Sequence, residues 1–568
     1  MNRPVIASLR PARGWVEPGA WVRATAGISS SEPTSVRVSL RLLDLDRAVA
    51  ATSVEVRLEA GTTSVELGVR APGLERRGYG LEAAVYQGEA MVAGALDAVE
   101  VLSGPWRSPR HAAVIDYSDP AISGPATGAL VDWHVNMAQH YDWMWRHYRY
   151  RPPDRSTEFV DALGRMVSHR ALRASIDHGH AAGIAALAYG SVYGAETEYV
   201  ERHPDERVFD AAGQPLSLGG TFHINDIRPG SSWRSRLLAE YTGAIEHFGF
   251  DGIHMDTYGP PHSGFAADGT PIDFAQLYPG LIDEAARVSA DTAAGARVLF
   301  NCVEGFPLEA VAPADAAALY LELWPPDDGL DDVVRWVDRA RALARGRAVI
   351  IAAYAAAMRE EGATADRAAA FEATLLLGSV IAAAGAYHHT LAAGDRLLVE
   401  GYYPAAVPME PGEIAELRAL SRFSARYVHL LSDPGSGLVE LPGLELRDRS
   451  GAPVAWSSEP RPGVIWARAF RTPEHVSVLH LIDLRDQDDV LWTRPKRTAR
   501  VRAGLAVRWP HAAERARVAS PWSRDGSPVV VAGRDGWLAL PADPRWQMLV
   551  ATDRADRSAD GLQSAAGT

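Results

Sequence analysis

Two acids carry the chemistry that this sequence offers. The run "DGIHMD" (251–256) is short, apolar and ends in Asp256, and "ALYLELW" (318–324) carries Glu322 near its end. Side chains alternate faces along a strand. Ile253 and Met255 therefore share one face, while His254 and Asp256 share the other; Leu321 and Leu323 likewise oppose Tyr320, Glu322 and Trp324. Two carboxylates turned toward one opening among aromatic rings suit glycoside hydrolysis: one protonates the leaving oxygen, and the other stabilises or covalently traps the anomeric carbon. A separation of about 5–5.5 Å gives retention, and roughly 6.5–9.5 Å admits an inverting water. The competing role for either acid is a structural ion pair. Asp251 opens its run at the opposite end and is read as structural.

Such acids need a rigid scaffold, and the chain between about 106 and 425 supplies a pattern for one. Its apolar runs are "HAAVID" (111–116), "WHVNMAQHY" (133–141), "GIAALAYG" (183–190), "DGIHMD", "RVLFNC" (297–302), "ALYLELW", "AVIIAAY" (348–354) and "VIAAAGAY" (380–387). Helix-like segments such as "LIDEAARVSADTAAGA" separate them. Eight strand–helix units predict a (β/α)₈ TIM barrel, with a doubly wound sheet as the competing topology. No Gly-rich phosphate loop follows any of these runs, which argues against a nucleotide fold.

Barrel chemistry gathers at the C-terminal ends of the strands. Asp116, Tyr189 and Asn301 end inward-facing runs, and His254 and Trp324 share the inward faces of the two acids, so all five are candidate substrate contacts. Tyr141, Trp143, Trp145 and His147 have one parity along or just beyond the second run, where rings could stack on sugar faces. "HGH" (178–180) falls in a helix-like stretch before the third run, on the wrong side for a metal site, and no metal or other cofactor is expected.

The flanks read differently. Residues 1 to 105 alternate with period two, as in "SVRVSLRLLDLD", and predict an N-terminal immunoglobulin-like β-sandwich. Residues 430 to 553 predict a C-terminal β-sandwich, and the polar tail 554 to 568 is expected to be disordered. The predicted protein is thus multidomain, a central barrel flanked by two sandwiches. A net charge of -14 disfavours nucleic acid and anionic lipid as partners. No run of roughly 18 apolar residues predicts a membrane span. The single cysteine, Cys302, builds neither a disulfide nor a cysteine metal cage. No signal-peptide core of about 7–15 apolar residues opens the chain, which predicts a cytoplasmic protein; a chain trimmed of its leader would instead be secreted. Oligomeric state is not legible.

The ordered set of motifs resembles glycoside hydrolase family 66, the dextranases and cycloisomaltooligosaccharide glucanotransferases. "GFDGIHMDTYG" is similar to its nucleophile segment and "LYLELWP" to its acid/base segment. The resemblance thus implies Asp256 as nucleophile and Glu322 as acid. "QHYDWMWRH" and "AYGSVYGA" resemble the second- and third-strand motifs, the latter with Gly190 where the family usually has Asn. "GAYHHTLAAGDRLLVEGYYP" resembles the eighth strand and implies His388 as a contact to a sugar hydroxyl. It departs from the family at Thr390 and Ala392, where Glu and Gly are usual. The implied function is retaining endo-hydrolysis of α-1,6-linkages in dextran or isomaltooligosaccharides, with an α-glucan as partner. No segment of roughly a hundred residues interrupts the barrel as a carbohydrate-binding insert, which favours hydrolysis over cyclisation. The rivals are a transglycosylase forming cyclic or longer isomaltooligosaccharides, a barrel glycosidase for another linkage, and a non-catalytic glucan-binding protein.

Overall fold

Alternating apolar and polar residues fold the first hundred positions into two sheets, one of three strands and one of five. Both contribute to one core, with Ile28 and Leu67 from the first and Val38, Leu40 and Leu81 from the second. The structure is a computed structural model that describes residues 3–359, 366–500, 502, 504–512, 515–543 and 545–551. The expected disordered tail lies outside the described residues.

The middle of the chain builds a long parallel sheet. Its strands are β1 (His111–Val114), β2 (Met137–His140), β3 (Ala185–Ser191), β4 (Gly252–Asp256), β5 (Arg297–Val303), β6 (Ala318–Glu322), β7 (Ala348–Ala352) and β8 (Tyr387–His389). Each pairs in parallel with its neighbour in sequence. The segment that begins with β8 pairs with β7 over Tyr387–His389 and with β1 over Leu391–Ala392, so the row of strands returns to its start. Helices such as Ser232–Phe248, Phe274–Thr292 and Leu330–Leu343 connect the strands. Their buried residues recur every three or four positions, for example Leu330, Val333, Val334 and Val337.

One expected strand is a helix. Most of "VIAAAGAY" closes the helix Arg367–Ala384, and the strand begins only at Tyr387. All residues from Ala370 to Ala384 are buried, so the helix is buried all round and, with few polar residues, carries no stripe to betray its period. It is long and apolar enough to cross a membrane, against the expectation that no segment would be, but most of it is buried inside this protein. "WHVNMAQHY" gives a strand only over Met137–His140, because Ala129–Trp133 is a 3₁₀ turn. C-terminal to the helix Pro411–Arg426, strands from Gly437–Val439 to Trp546–Ala551 form, among the described residues, a ten-stranded sheet, nine strands along one pairing path and one off it, around a core that includes Leu446, Leu479 and Leu549. The protein is therefore multidomain and rich in sheet.

Candidate active site

Period-two geometry sends alternate residues of the parallel strands inward. Tyr189, Asp256, Glu322 and Trp324 line a cleft of about 450 Å³ over their C-terminal ends. Glu322 is buried and Asp256 partly exposed. Between them stands Asn301 of β5. Its Nδ2 donates to Asp256 Oδ1 at 2.8 Å and to Glu322 Oε2 at 2.7 Å. An amide nitrogen has two hydrogens, one for each carboxylate, and its oxygen facing two acids would be repelled, so chemistry fixes the orientation. The two acceptor oxygens lie no further apart than those two bond lengths end to end.

Further donors hold each acid. The Tyr354 hydroxyl, just past β7, donates to Glu322 Oε1, and Trp324 also hydrogen-bonds Glu322. Tyr189 hydrogen-bonds Asp256. Burial pushes the Asp256 carboxyl well above its usual range, the Glu322 charge adds to the rise, and the bonds from Asn301 and Tyr189 oppose it. Burial likewise raises Glu322 against the donors Tyr354, Asn301 and Trp324. Acids this close titrate as one pair.

Several other expected contacts also reach the cleft. Tyr141 stacks on Tyr403 at 4.6 Å and lies 5.1 Å from Tyr189, centroid to centroid. His147 lines the cleft with Nδ1 2.9 Å from Glu196 and Nε2 3.5 Å from Asp142. Burial alone would lower its pKa, but the two carboxylates raise it to about 10, so the ring is an imidazolium at neutral pH.

Asn301 bridges the acids without lining the cleft, and five further expected contacts lie outside the lining. Trp143 is fully buried, packed on Phe248 and Phe250 with its indole N–H on the Tyr189 carbonyl. The chain leaves the strand geometry at His140 and turns through Asp142 at φ 44°, so parity counted from β2 no longer holds there. Trp145 carries Arg146 over its ring at 4.6 Å and packs half-buried against the main core beside Tyr148, outside the acids' cleft lining. His254 does face inward, but one layer too deep, against Tyr320 and His111, where burial drives its pKa to about 3. Asp116 is exposed and accepts from Ser118 N and Oγ, closing a turn. His388 points outward from β8 and donates through Nε2 to the Ala353 carbonyl at 2.7 Å; Tyr387 and His389 occupy the inward positions.

Sequence reasoning passed over Tyr354, Tyr403, Asp142, Glu304 and Phe222. Tyr354 could have been found, since it closes "AVIIAAY" as Asp256 closes "DGIHMD". The others come from loops without strand parity. Asp251 takes the structural role expected of it, accepting from Ala186 N and pairing with His180 at 2.7 Å. Gly190 is outward-facing, and a Cβ there would meet Tyr241 at 2.5 Å and Tyr150 at 2.8 Å, so the Asn that the family resemblance leads one to expect has no room in this chain. Among the described residues no group of three or more His, Cys, Asp or Glu could hold a metal.

Two cycloisomaltooligosaccharide glucanotransferases of Niallia circulans are 26% identical over 355 residues and 25% identical over 366 residues. These alignments cover 59% and 60% of this chain but 36% and 37% of the relatives, so the chain spans little more than a third of their length. A Paenibacillus cycloisomaltooligosaccharide glucanotransferase, solved in complex with cycloisomaltoheptaose, superposes with a TM-score of 0.86 over 96% of this chain and 100% of its own, at 20% identity. A maltogenic α-amylase, AmyB, from Thermotoga neapolitana reaches a TM-score of 0.51 at 10% identity over 79% of this chain and 99% of its own. At such identities the superpositions speak for fold alone. The sequence model of glycosyl hydrolase family 66 matches residues 14–537, and the chain belongs to that family.

Proposed function

We propose that the protein is a retaining glycosidase acting on α-1,6-glucosidic linkages of dextran or isomaltooligosaccharides, with its parallel strands forming a (β/α)₈ barrel between two β-sandwich domains. The observation that carries this reading is the amide of Asn301 shared by Asp256 and Glu322. One donor serving both acids keeps the two bridged oxygens within the sum of its 2.8 and 2.7 Å bonds, which supports the short spacing of a nucleophile and an acid over the wider one that admits an inverting water. The family and its glucanotransferase members support an α-1,6-glucan as substrate.

The division of roles follows the family resemblance. Asp256 Oδ attacks the anomeric carbon and forms a glycosyl–enzyme ester while the bond to the departing O6 breaks. Glu322 supplies that oxygen's proton. Glu322, now a carboxylate, removes a proton from water; the water oxygen bonds the anomeric carbon and Asp256 departs. The raised Glu322 pKa suits an acid that must stay protonated near neutral pH. A panel of α-1,6-, α-1,4- and β-linked glucans tests the reading. Cleavage of the α-1,6 glucan to linear products is expected, and exclusive cleavage of another linkage would refute it. Cyclic products would instead favour transglycosylation, the activity named for the relatives.

Tyr354→Phe removes a donor that stabilises ionised Glu322. Without it the Glu322 pKa rises further, so the alkaline limb of kcat/KM, which needs the protonated acid, is expected to move to higher pH. The rate should fall about tenfold to a hundredfold, the usual worth of a hydrogen bond to a charged group. A pH profile with both limbs unmoved would show that Tyr354 does not govern Glu322.

A further inference from the structure

A second cavity, of about 90 Å³, lies on the helix side of the parallel strands. β8 and the start of β1 wall it on one side, and the helices Arg367–Ala384 and Pro411–Arg426 wall it on the other. It shares no lining residue with the cleft that holds the acids. Strand and helix layers normally close on each other at the density of a crystal, so a gap of this size between them needs an explanation.

Its lining is polar and partly unpartnered. His388 points outward from β8, and side-chain alternation gives Thr390 the same side. Thr390 is 4% exposed, and its hydroxyl has no hydrogen-bond partner. His111, also buried, adds an Nε2 without a partner. His388 donates through Nε2 to the Ala353 carbonyl, and burial lowers its pKa to about 4, so Nδ1 is an acceptor at neutral pH. Ser421 and Ser424, half-buried, bring two more hydroxyls. Buried polar groups left without partners are costly, and a polar cavity of this kind does not stay empty.

The lining also states what it will not take. Among its described residues Arg110 is the one charged side chain at neutral pH. Its Nε and Nη2 already meet Glu100 at 2.7 and 3.0 Å, and Nη2 also donates to the Ser424 carbonyl. An anion would find no free cation there and would face the His388 acceptor. A molecule whose hydroxyls both donate and accept matches every group. At about 10–15 Å³ for each water position, the cavity has roughly six to nine such positions, room for one small molecule.

We propose that this cavity is a binding site for one neutral polyhydroxyl molecule, of a size between glycerol and a monosaccharide, held by Thr390, His388 and the two serines. The site is separate from the catalytic cleft and does not depend on the glycosidase reading.

Ligand-observed NMR titration of the full chain with D-glucose, glycerol and D-glucuronate tests it, in the parent, in Thr390→Val and in Ala382→Leu. The first substitution removes the unpartnered hydroxyl at nearly constant size, and the second places a larger side chain in the cavity. The parent is expected to bind glucose or glycerol with a Kd of about 10 mM or tighter, and glucuronate at least about threefold more weakly. Thr390→Val should weaken the better neutral compound at least about threefold, the worth of one hydrogen bond, and Ala382→Leu should weaken it further. Glucose held in the catalytic cleft would be indifferent to both changes, since neither residue lines it. Weakening of less than about threefold in Thr390→Val overturns the site, as does a parent that binds neither neutral compound. Glucuronate bound within about threefold of the better neutral compound overturns the ligand class. Should Ala382→Leu fail to fold, Thr390→Val decides alone.

Discussion

Asp256→Asn is expected to lower kcat/KM on α-1,6-glucan by about 10⁴-fold or more, and Glu322→Gln by about 10²–10⁴-fold. The two losses should differ in kind. An activated substrate such as an α-isomaltosyl fluoride needs no proton on its leaving group, so fluoride release measures attack without the acid. Glu322→Gln should regain most of its first-turnover rate on the fluoride, whereas Asp256→Asn should remain inactive because no ester can form. Equal inactivity of both variants on the fluoride would contradict the division of roles. The losses are also expected without unfolding. Both carboxyls are raised by burial, and each is raised or held by its neighbours as a pair. A raised carboxyl contributes stability below its unfolded pKa of about 3.9 or 4.3, and this is lost as pH rises through the folded value. Neutral Asn at 256 escapes that loss. Asp256→Asn should therefore melt no lower than the parent at pH 8, as thermal scans at pH 5 and pH 8 would show.

Asn301→Ala is expected to cost about 10²–10³-fold in kcat with KM changed little, the scale of removing one preorganised donor from a charged site. The argument is geometric. One Nδ2 holds both carboxylates, so its loss frees two acids that repel each other and leaves Glu322 with Tyr354 and Trp324, and Asp256 with Tyr189. Both carboxyls lose a donor to their charged forms, so both limbs of the pH profile should move upward. Asn301→Asp should be worse, since it adds a third buried acid. A loss under about tenfold, with an unmoved profile, would mean that the strands alone set the spacing and that the amide is incidental.

Strand-borne parts of this site were legible because a strand has an exact parity. Asp256, Glu322, Asn301 and Tyr189 were each placed by the inward face of a run, and each lines the cleft or bridges its acids. Parity failed where the strand ended sooner than the apolar run did. β2 stops at His140, so Trp143 turned into the core and Trp145 packed half-buried against it, while Tyr141 and His147 reached the cleft. It also failed at β8, because a buried helix and a buried strand are both simply apolar. Reading "VIAAAGAY" as strand misplaced the start of β8; His388, named by the family resemblance rather than by parity, faces away from the cleft. Depth was equally hidden: His254 has the parity of Asp256 but lies beneath it. The loop residues Phe222 and Leu218 depend on a Gly219–Gly220 turn and on an ion-paired histidine far away in sequence, relations that only the fold discloses.

The anomeric configuration of the first-formed product tests the central claim most directly. Proton NMR, recorded on an α-1,6-linked substrate before mutarotation intervenes, should show the α-anomer appearing first, as two displacements at a carbon flanked by closely held acids require. Initial release of the β-anomer would mean direct attack by water, and the Asn301-bridged pair could not then work as a nucleophile and its acid.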